Sequence, residues 1–285
     1  MHKLSLVNIS SDRSTRLVRL LRFKALLVSS AFFFGCQSAA DLQLHSSFQW
    51  QTEIYAGLPV AMALPQLIAS TDTVRVYIEG DGRAWITPTQ PSLDPTPRHS
   101  FMLQLAQSDP VTTVYLGRPC QYQKNSACKV PLWTSDRFSQ AVLNSLHGAL
   151  DRIKTELKNN YFELIGYSGG GAVALLLAAQ REDVLQVQTI AGNLNPAAWV
   201  ARHSLTPLTN SLEPTDYASP LAAIPQRHFY GAKDKNIPPS SYQDYWLHLA
   251  VKPKCSQQVI IALADHEEGW LEAWSQWRDR SLDCN

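Results

Sequence analysis

The chain has 285 residues and a mass of 31.8 kDa, with 45% hydrophobic residues, 17% charged residues and a formal net charge of +1. That is enough apolar material for a full core and too little charge for a disordered chain, and the balance offers none of the strongly basic footprint of a nucleic-acid binder. Length alone leaves one large domain or two small ones open.

The charge is unevenly spread. Residues 1–35 carry Lys3, Arg13, Arg16, Arg19, Arg22 and Lys24 against the single acid Asp12, then run into an apolar stretch at 25–35 that is too short to span a bilayer. A basic region followed by a short apolar one is the pattern of an export signal. Without these six basic and one acidic side chains, 19 bases face 23 acids and the net charge falls to near −4. The stretch ends at Phe33-Phe34-Gly35-Cys36, which resembles the lipobox of bacterial lipoproteins, with Cys36 as the residue that receives the lipid. Ordinary cleavage after Ser38-Ala39-Ala40 is the alternative. The first implies a membrane anchor in the bacterial cell envelope facing the periplasm, the second a soluble periplasmic or secreted protein.

Beyond this leader the chain alternates strand-like and helix-like runs. Residues 48–55 show partial period-2 alternation and residues 74–78 form a short β-rich run ending in Glu79-Gly80-Asp81-Gly82, so both are predicted strands. Residues 91–97 are too rich in proline to be regular, and residues 99–107 read as a helix. A strand over 111–116 leads into Gly117-Arg118-Pro119-Cys120. After the polar Ser135-Asp136, residues 138–157 form a long amphipathic helix with Val142, Leu146, Leu150 and Ile153 near helical spacing. A strand at 162–165 precedes an apolar helix at 172–180, and further strands are predicted at 184–191, 227–230 and 258–263, with a final helix after Trp270. The segment 192–225 is irregular and proline-rich and reads as a cap inserted over the sheet. Such alternation predicts one α/β domain from Cys36 to the C-terminus, with a mostly parallel sheet and helices on both faces.

Four cysteines follow Cys36, and four allow three pairings in an oxidising compartment. Cys120 and Cys128 would close a short polar loop, and Cys255 and Cys284 would tie the start of a strand to the C-terminus; four free thiols are the alternative. No C-x2-C or paired His accompanies them, so zinc is not expected.

Gly166-Tyr167-Ser168-Gly169-Gly170 stands between the strand at 162–165 and the helix at 172–180. A G-x-S-x-G pattern arises by chance about 0.05 times in a chain of this composition, and a strand-to-helix context is what holds such a serine exposed on a strained turn. Ser168 is therefore the candidate nucleophile. A serine hydroxyl needs an imidazole to take its proton, and only His203, His228, His248 and His266 follow it.

On this elbow, on Tyr77-Ile78-Glu79-Gly80-Asp81-Gly82 and on Leu116-Gly117-Arg118-Pro119-Cys120, the chain resembles the α/β-hydrolase superfamily, and with its leader the exported bacterial hydrolases within it. The resemblance implies an α/β-hydrolase fold with the nucleophile after the fifth strand, triad members in the order serine, acid, histidine, and no cofactor. His266, just after the strand at 258–263, matches the position of the histidine. Asp234, in Gly231-Ala232-Lys233-Asp234-Lys235-Asn236-Ile237-Pro238, matches the acid loop, ahead of Asp265 and Asp216.

The backbone N–H of Gly169 is one expected oxyanion donor, and that of Asp81, with Gly82 as fallback, the other. Glu79 replaces the histidine common in that loop, and an Asp81 side chain near an oxyanion calls for a screening charge, for which Arg83 is the nearest in sequence. Arg118 and Tyr167 are candidate substrate contacts; Arg118 is also placed to fix Asp81 or to make a structural ion pair. Trp85, Trp133 and Trp199 suit a pocket lining or plain packing. The activity implied is ester cleavage, or amide cleavage, on a small acyl substrate through an acyl-serine. A non-catalytic envelope lipoprotein that binds ligands or proteins on the same fold is the second expectation, and a peptidase the third. The sequence does not address oligomeric state.

Overall fold

The computed structural model describes residues 44–67 and 71–282. The expected leader at 1–35, Cys36, the alternative cleavage site at Ala40 and Cys284 lie outside the described residues. Ten strands occur in order among the described residues: β1 (Phe48–Tyr55), β2 (Leu58–Pro65), β3 (Thr73–Ile78), the short pair β4 (Trp85–Thr87) and β5 (Gln90–Pro91), β6 (Thr113–Leu116), β7 (Tyr161–Tyr167), β8 (Val184–Ile190), β9 (Gln226–Gly231) and β10 (Ser256–Ile261). The helices are α1 (Phe101–Ser108), α2 (Gln140–Leu157), α3 (Gly169–Ala179), α4 (Pro196–Arg202), α5 (Ala218–Leu221), α6 (Ser241–His248) and α7 (Trp270–Trp277).

Eight strands make one sheet in the order β1-β2-β6-β3-β7-β8-β9-β10, parallel from β6 to β10 and antiparallel at the β1 and β2 edge. Successive residues of a strand point to opposite faces, and the core divides accordingly. Val74, Val76, Ile78, Leu164 and Val187 pack on one face with α2, α3 and Tyr245 of α6. Tyr77, Tyr115, Ile165, Ile190 and Phe229 pack on the other with α1 and with Trp270 and Trp274 of α7. Helices therefore cover both faces, as parallel strands buried on each side require.

Local chemistry sets the helix ends. Ser100 and Ser139 cap α1 and α2 by accepting from the N–H groups of Leu103 and Val142. The buried stripe of α2 includes Val142, Leu146, Leu150 and Ile153, the positions its periodicity marks. Helix α3 is buried almost all round and begins at Gly169, earlier than its apolar run predicts.

β2 has no counterpart among the predicted strands. Residues 58–64 are buried on both faces between β1 and β6, so the strand shows no alternation, and proline stands at both Pro59 and Pro65. The segment 192–225 holds α4, a 3-10 turn at Pro214–Tyr217 and α5. Cys120 and Cys128 are joined with Cα atoms 5.8 Å apart, and Cys255, which immediately precedes β10, is also disulfide-bonded. Among the described residues no helix is long and apolar enough to cross a membrane.

The carboxyl ends of the parallel strands share one rim. Ile78 pairs with Leu116 and Gly166, and Gly231 with Ile261, so the loops leaving β3, β6, β7, β9 and β10 emerge together. They carry Asp81, Arg118, Ser168, Asp234 and His266, the usual site of ligand chemistry in such sheets.

Candidate active site

Ser168 occupies the turn between β7 and α3 with φ +50° and ψ −121°, a backbone conformation that costs about 1–3 kcal/mol in a non-glycine residue. The turn is held by Ser168 N–H to Ile190 O (3.0 Å) and by the N–H groups of Gly171 and Asn193, both 2.9 Å from Ser168 O. Glycine is required at position 166 by close approach. A Cβ on Gly166 would lie 2.2 Å from Gly170 O, because strand and helix backbones nearly touch there.

His266 Nε2 lies 3.1 Å from Ser168 Oγ, and His266 Nδ1 lies 2.8 Å from Asp234 Oδ2. A buried carboxylate only accepts, so Nδ1 carries the proton and Nε2 presents its lone pair to the serine hydroxyl. Asp234 is fixed by its own loop. Its Oδ1 accepts from the N–H groups of Asn236 (2.8 Å) and Ile237 (2.9 Å), and its side chain is fully buried. His266 is held by its carbonyl, which accepts from Tyr167 Oη (3.1 Å) and Trp270 Nε1 (3.3 Å). Burial raises the Tyr167 hydroxyl above its ordinary range, with Glu79 adding to the effect, so it stays a neutral donor.

The alternative candidates stand elsewhere. Asp265 turns back to accept from Glu267 and Glu268 N–H, which lower its carboxyl below the ordinary value. His228 is buried between Thr189 and Gln226, and burial lowers it to about 3. His203 meets Asn236 O (2.8 Å) and His248 meets Asp244 O. Trp133 is buried and donates to Ser92 O, Trp85 is exposed on β4, and Trp199 donates to Asn236 Oδ1 (3.1 Å).

Gly169 is the first residue of α3, so its N–H has no intrahelical acceptor. In the loop after β3, Gly80 N–H is taken up by Glu79 Oε1 (2.9 Å), whereas Asp81 and Gly82 N–H meet no acceptor among the described residues. Glu79 is buried; burial raises its carboxyl despite hydrogen bonds from Ser100, Gly80 and Tyr115. Arg83 does not screen Asp81. Arg118 Nη1 (3.2 Å) and Arg137 Nη1 (2.6 Å) do so instead. Burial alone would raise the Asp81 carboxyl, but the charges of Arg137 and Arg118 outweigh it and hold it below the usual range. Arg118 is 5% exposed and committed to Asp81 and to the Arg137 carbonyl, which makes it a structural partner rather than a direct substrate contact.

Sequence reasoning gave no role to Arg137 or Asn236. Asn236 Nδ2 lies 3.3 Å from His266 Nε2, and Asn236 also meets Trp199 and His203 of the segment 192–225. A cavity of about 660 Å³ is an open polar groove along α2 that includes none of the triad residues. Among the described residues, no group of three or more His, Cys, Asp or Glu side chains is placed to hold a metal ion.

No protein-family model and no curated protein sequence matches the chain. Solved structures do. An esterase from Pyrococcus furiosus superposes with a TM-score of 0.60 at 12% identity, over 83% of this chain and 93% of that one. An acetyl xylan esterase from Paenibacillus sp. R4 gives 0.56 at 16% identity over 84% of each chain. An alpha-beta serine hydrolase homologue from Coxiella burnetii gives 0.50 at 11% identity, over 76% and 88%. At these identities the likeness is one of fold.

Proposed function

On the premise that this chain is an α/β-hydrolase by fold, we propose that it is a serine hydrolase that cleaves a carboxylic ester through an acyl-Ser168 intermediate. The observation that carries the proposal is the continuous relay from Ser168 Oγ through His266 to Asp234, with contacts of 3.1 and 2.8 Å. A scaffold that only binds has no need of such a relay.

His266 Nε2 takes the Ser168 proton as Oγ attacks the acyl carbon, and the carbonyl electrons move to oxygen. Gly169 and Asp81 N–H stabilise that oxyanion. The C–O bond to the alcohol then breaks, and the alcohol leaves with the proton from His266. Water repeats the sequence in the second half: its proton goes to His266 and its oxygen to the acyl carbon, then the acyl–Oγ bond breaks, Ser168 Oγ takes the proton back from His266 and the carboxylic acid leaves. Asp234 stabilises the imidazolium throughout.

Residues 192–225, joined to the acid loop through Trp199 and His203, are proposed to form the cap that shapes the acyl or alcohol side of the site. The basic and apolar leader supports export to the cell envelope, with Cys36 as lipid anchor. The test is steady-state hydrolysis of p-nitrophenyl acyl esters and of peptide anilides by the wild type and Ser168→Ala. Ester turnover abolished by the substitution is expected. A wild type that cleaves only the anilides makes it a peptidase, and one inert to both sinks the proposal.

A further inference from the structure

The loop after β3 carries two carboxyl groups that the fold treats in opposite ways. Glu79 turns inward to Ser100 Oγ, Tyr115 Oη and Gly80 N–H. Asp81 turns toward α3. A Cβ on Gly169 would meet Asp81 Oδ1 at 2.2 Å, so this carboxylate lies directly against the residue whose N–H is the proposed oxyanion donor. An uncompensated negative charge there would oppose the charge that develops on the substrate oxygen.

Two arginines from separate parts of the chain meet it. Arg118 follows β6 and places Nη1 3.2 Å from Oδ1; Arg137 precedes α2 and places Nη1 2.6 Å from Oδ2. Each is 5% exposed and fixed from behind. Arg118 donates to the Arg137 carbonyl and lies over the Phe138 ring, and Arg137 donates from Nε to Thr134 O (2.7 Å) and lies over the Trp199 ring. Each arginine holds a different oxygen of the carboxylate, so removing either one leaves an oxygen of Asp81 uncompensated beside Gly169.

We infer that Arg137 and Arg118 are positioning residues of the oxyanion hole, acting through Asp81: they neutralise its carboxylate and fix its loop so that the backbone N–H faces the reacting carbonyl. This rests on the acyl-serine assignment of Ser168. A neutral ester acquires charge only on the way to the tetrahedral intermediate, so an uncompensated Asp81 carboxylate opposes that step and the arginines matter more to kcat than to KM.

The test is a double-mutant cycle on the full chain with a p-nitrophenyl ester, using wild type, Arg137→Gln, Asp81→Asn and the double variant, with thermal melts of each. Arg137→Gln is expected to lower kcat by about tenfold or more with KM within about threefold, Arg137→Lys to recover most of the loss, and Asp81→Asn added to Arg137→Gln to recover at least about fivefold. A kcat for Arg137→Gln within about threefold of wild type, or no recovery in the double variant, overturns the inference. If Arg137→Gln does not fold, the other edge of the cycle decides: in the Asp81→Asn background, removing Arg137 should change kcat by less than about threefold, and a larger loss overturns the inference. Wild type that neither turns over the ester nor reacts with a fluorophosphonate at Ser168 would fail the acyl-serine assignment instead.

Discussion

Asp234→Asn is the substitution whose outcome the geometry specifies most closely. Oδ1 of Asp234 accepts two backbone N–H groups, from Asn236 and from the buried Ile237, while Oδ2 accepts from His266 Nδ1. An asparagine must keep its oxygen on the loop, because turning the amide over would set an NH2 against both N–H groups. Its NH2 then faces His266 Nδ1 and donates to it, which moves the imidazole proton to Nε2. In that tautomer Nε2 donates toward Ser168 and cannot take its proton. The expected loss in kcat is about 10⁴-fold, or roughly 5 kcal/mol of transition-state stabilisation, with KM and thermal stability little changed. Asp234→Ala leaves the imidazole free to choose its tautomer but orphans the two N–H groups, so it should lose more stability, by about 1–3 kcal/mol, and retain more activity. Steady-state ester hydrolysis and thermal melts of both variants provide the comparison. An Asp234→Asn enzyme within tenfold of wild type, or one more active than Asp234→Ala, would refute this assignment of the acid.

Gly166→Ala puts a methyl 2.2 Å from Gly170 O, about 1 Å inside any tolerable contact, and should lower the melting temperature by about 10 °C or abolish soluble expression; an unchanged melt would show that β7 and α3 are not locked at the elbow. His228 is buried neutral with its pKa lowered to about 3 from 6.5, so the unfolded chain binds its proton first as pH falls. Its contribution is complete above about pH 6.5 and is lost toward pH 3 at up to about 1.4 kcal/mol per pH unit. Urea unfolding from pH 7 to 4 should therefore fall less steeply for His228→Gln than for wild type, and parallel curves would contradict the burial argument. Cys128→Ser opens the loop closed by the Cys120–Cys128 bond and should cost about 2–3 kcal/mol in reversible unfolding, with no added effect of reductant through this pair.

The features legible in the sequence are those with short-range signals. Ser168 sits in a five-residue pattern, Asp234 and His266 each follow a recognisable strand, and the structure brings the three together after the fifth, seventh and eighth strands of the sheet in chain order. The long amphipathic helix and the doubly covered sheet follow from periodicity in the same way. β2 was hidden because burial on both faces erases alternation. Arg137 was hidden because its partner Asp81 is 56 residues away, with no local pattern linking them. Asn236 lies in the acid loop itself, but its contacts with Trp199 and His266 depend on where the segment 192–225 folds.

The central claim is that Ser168 is an activated nucleophile. The direct measurement is intact-protein mass spectrometry after exposure to a fluorophosphonate, with peptide mapping of the adduct. One phosphonyl group per chain on Ser168, absent in Ser168→Ala and strongly slowed in Asp234→Asn, is the expected result. An unmodified wild type, or an adduct on another residue, would contradict it.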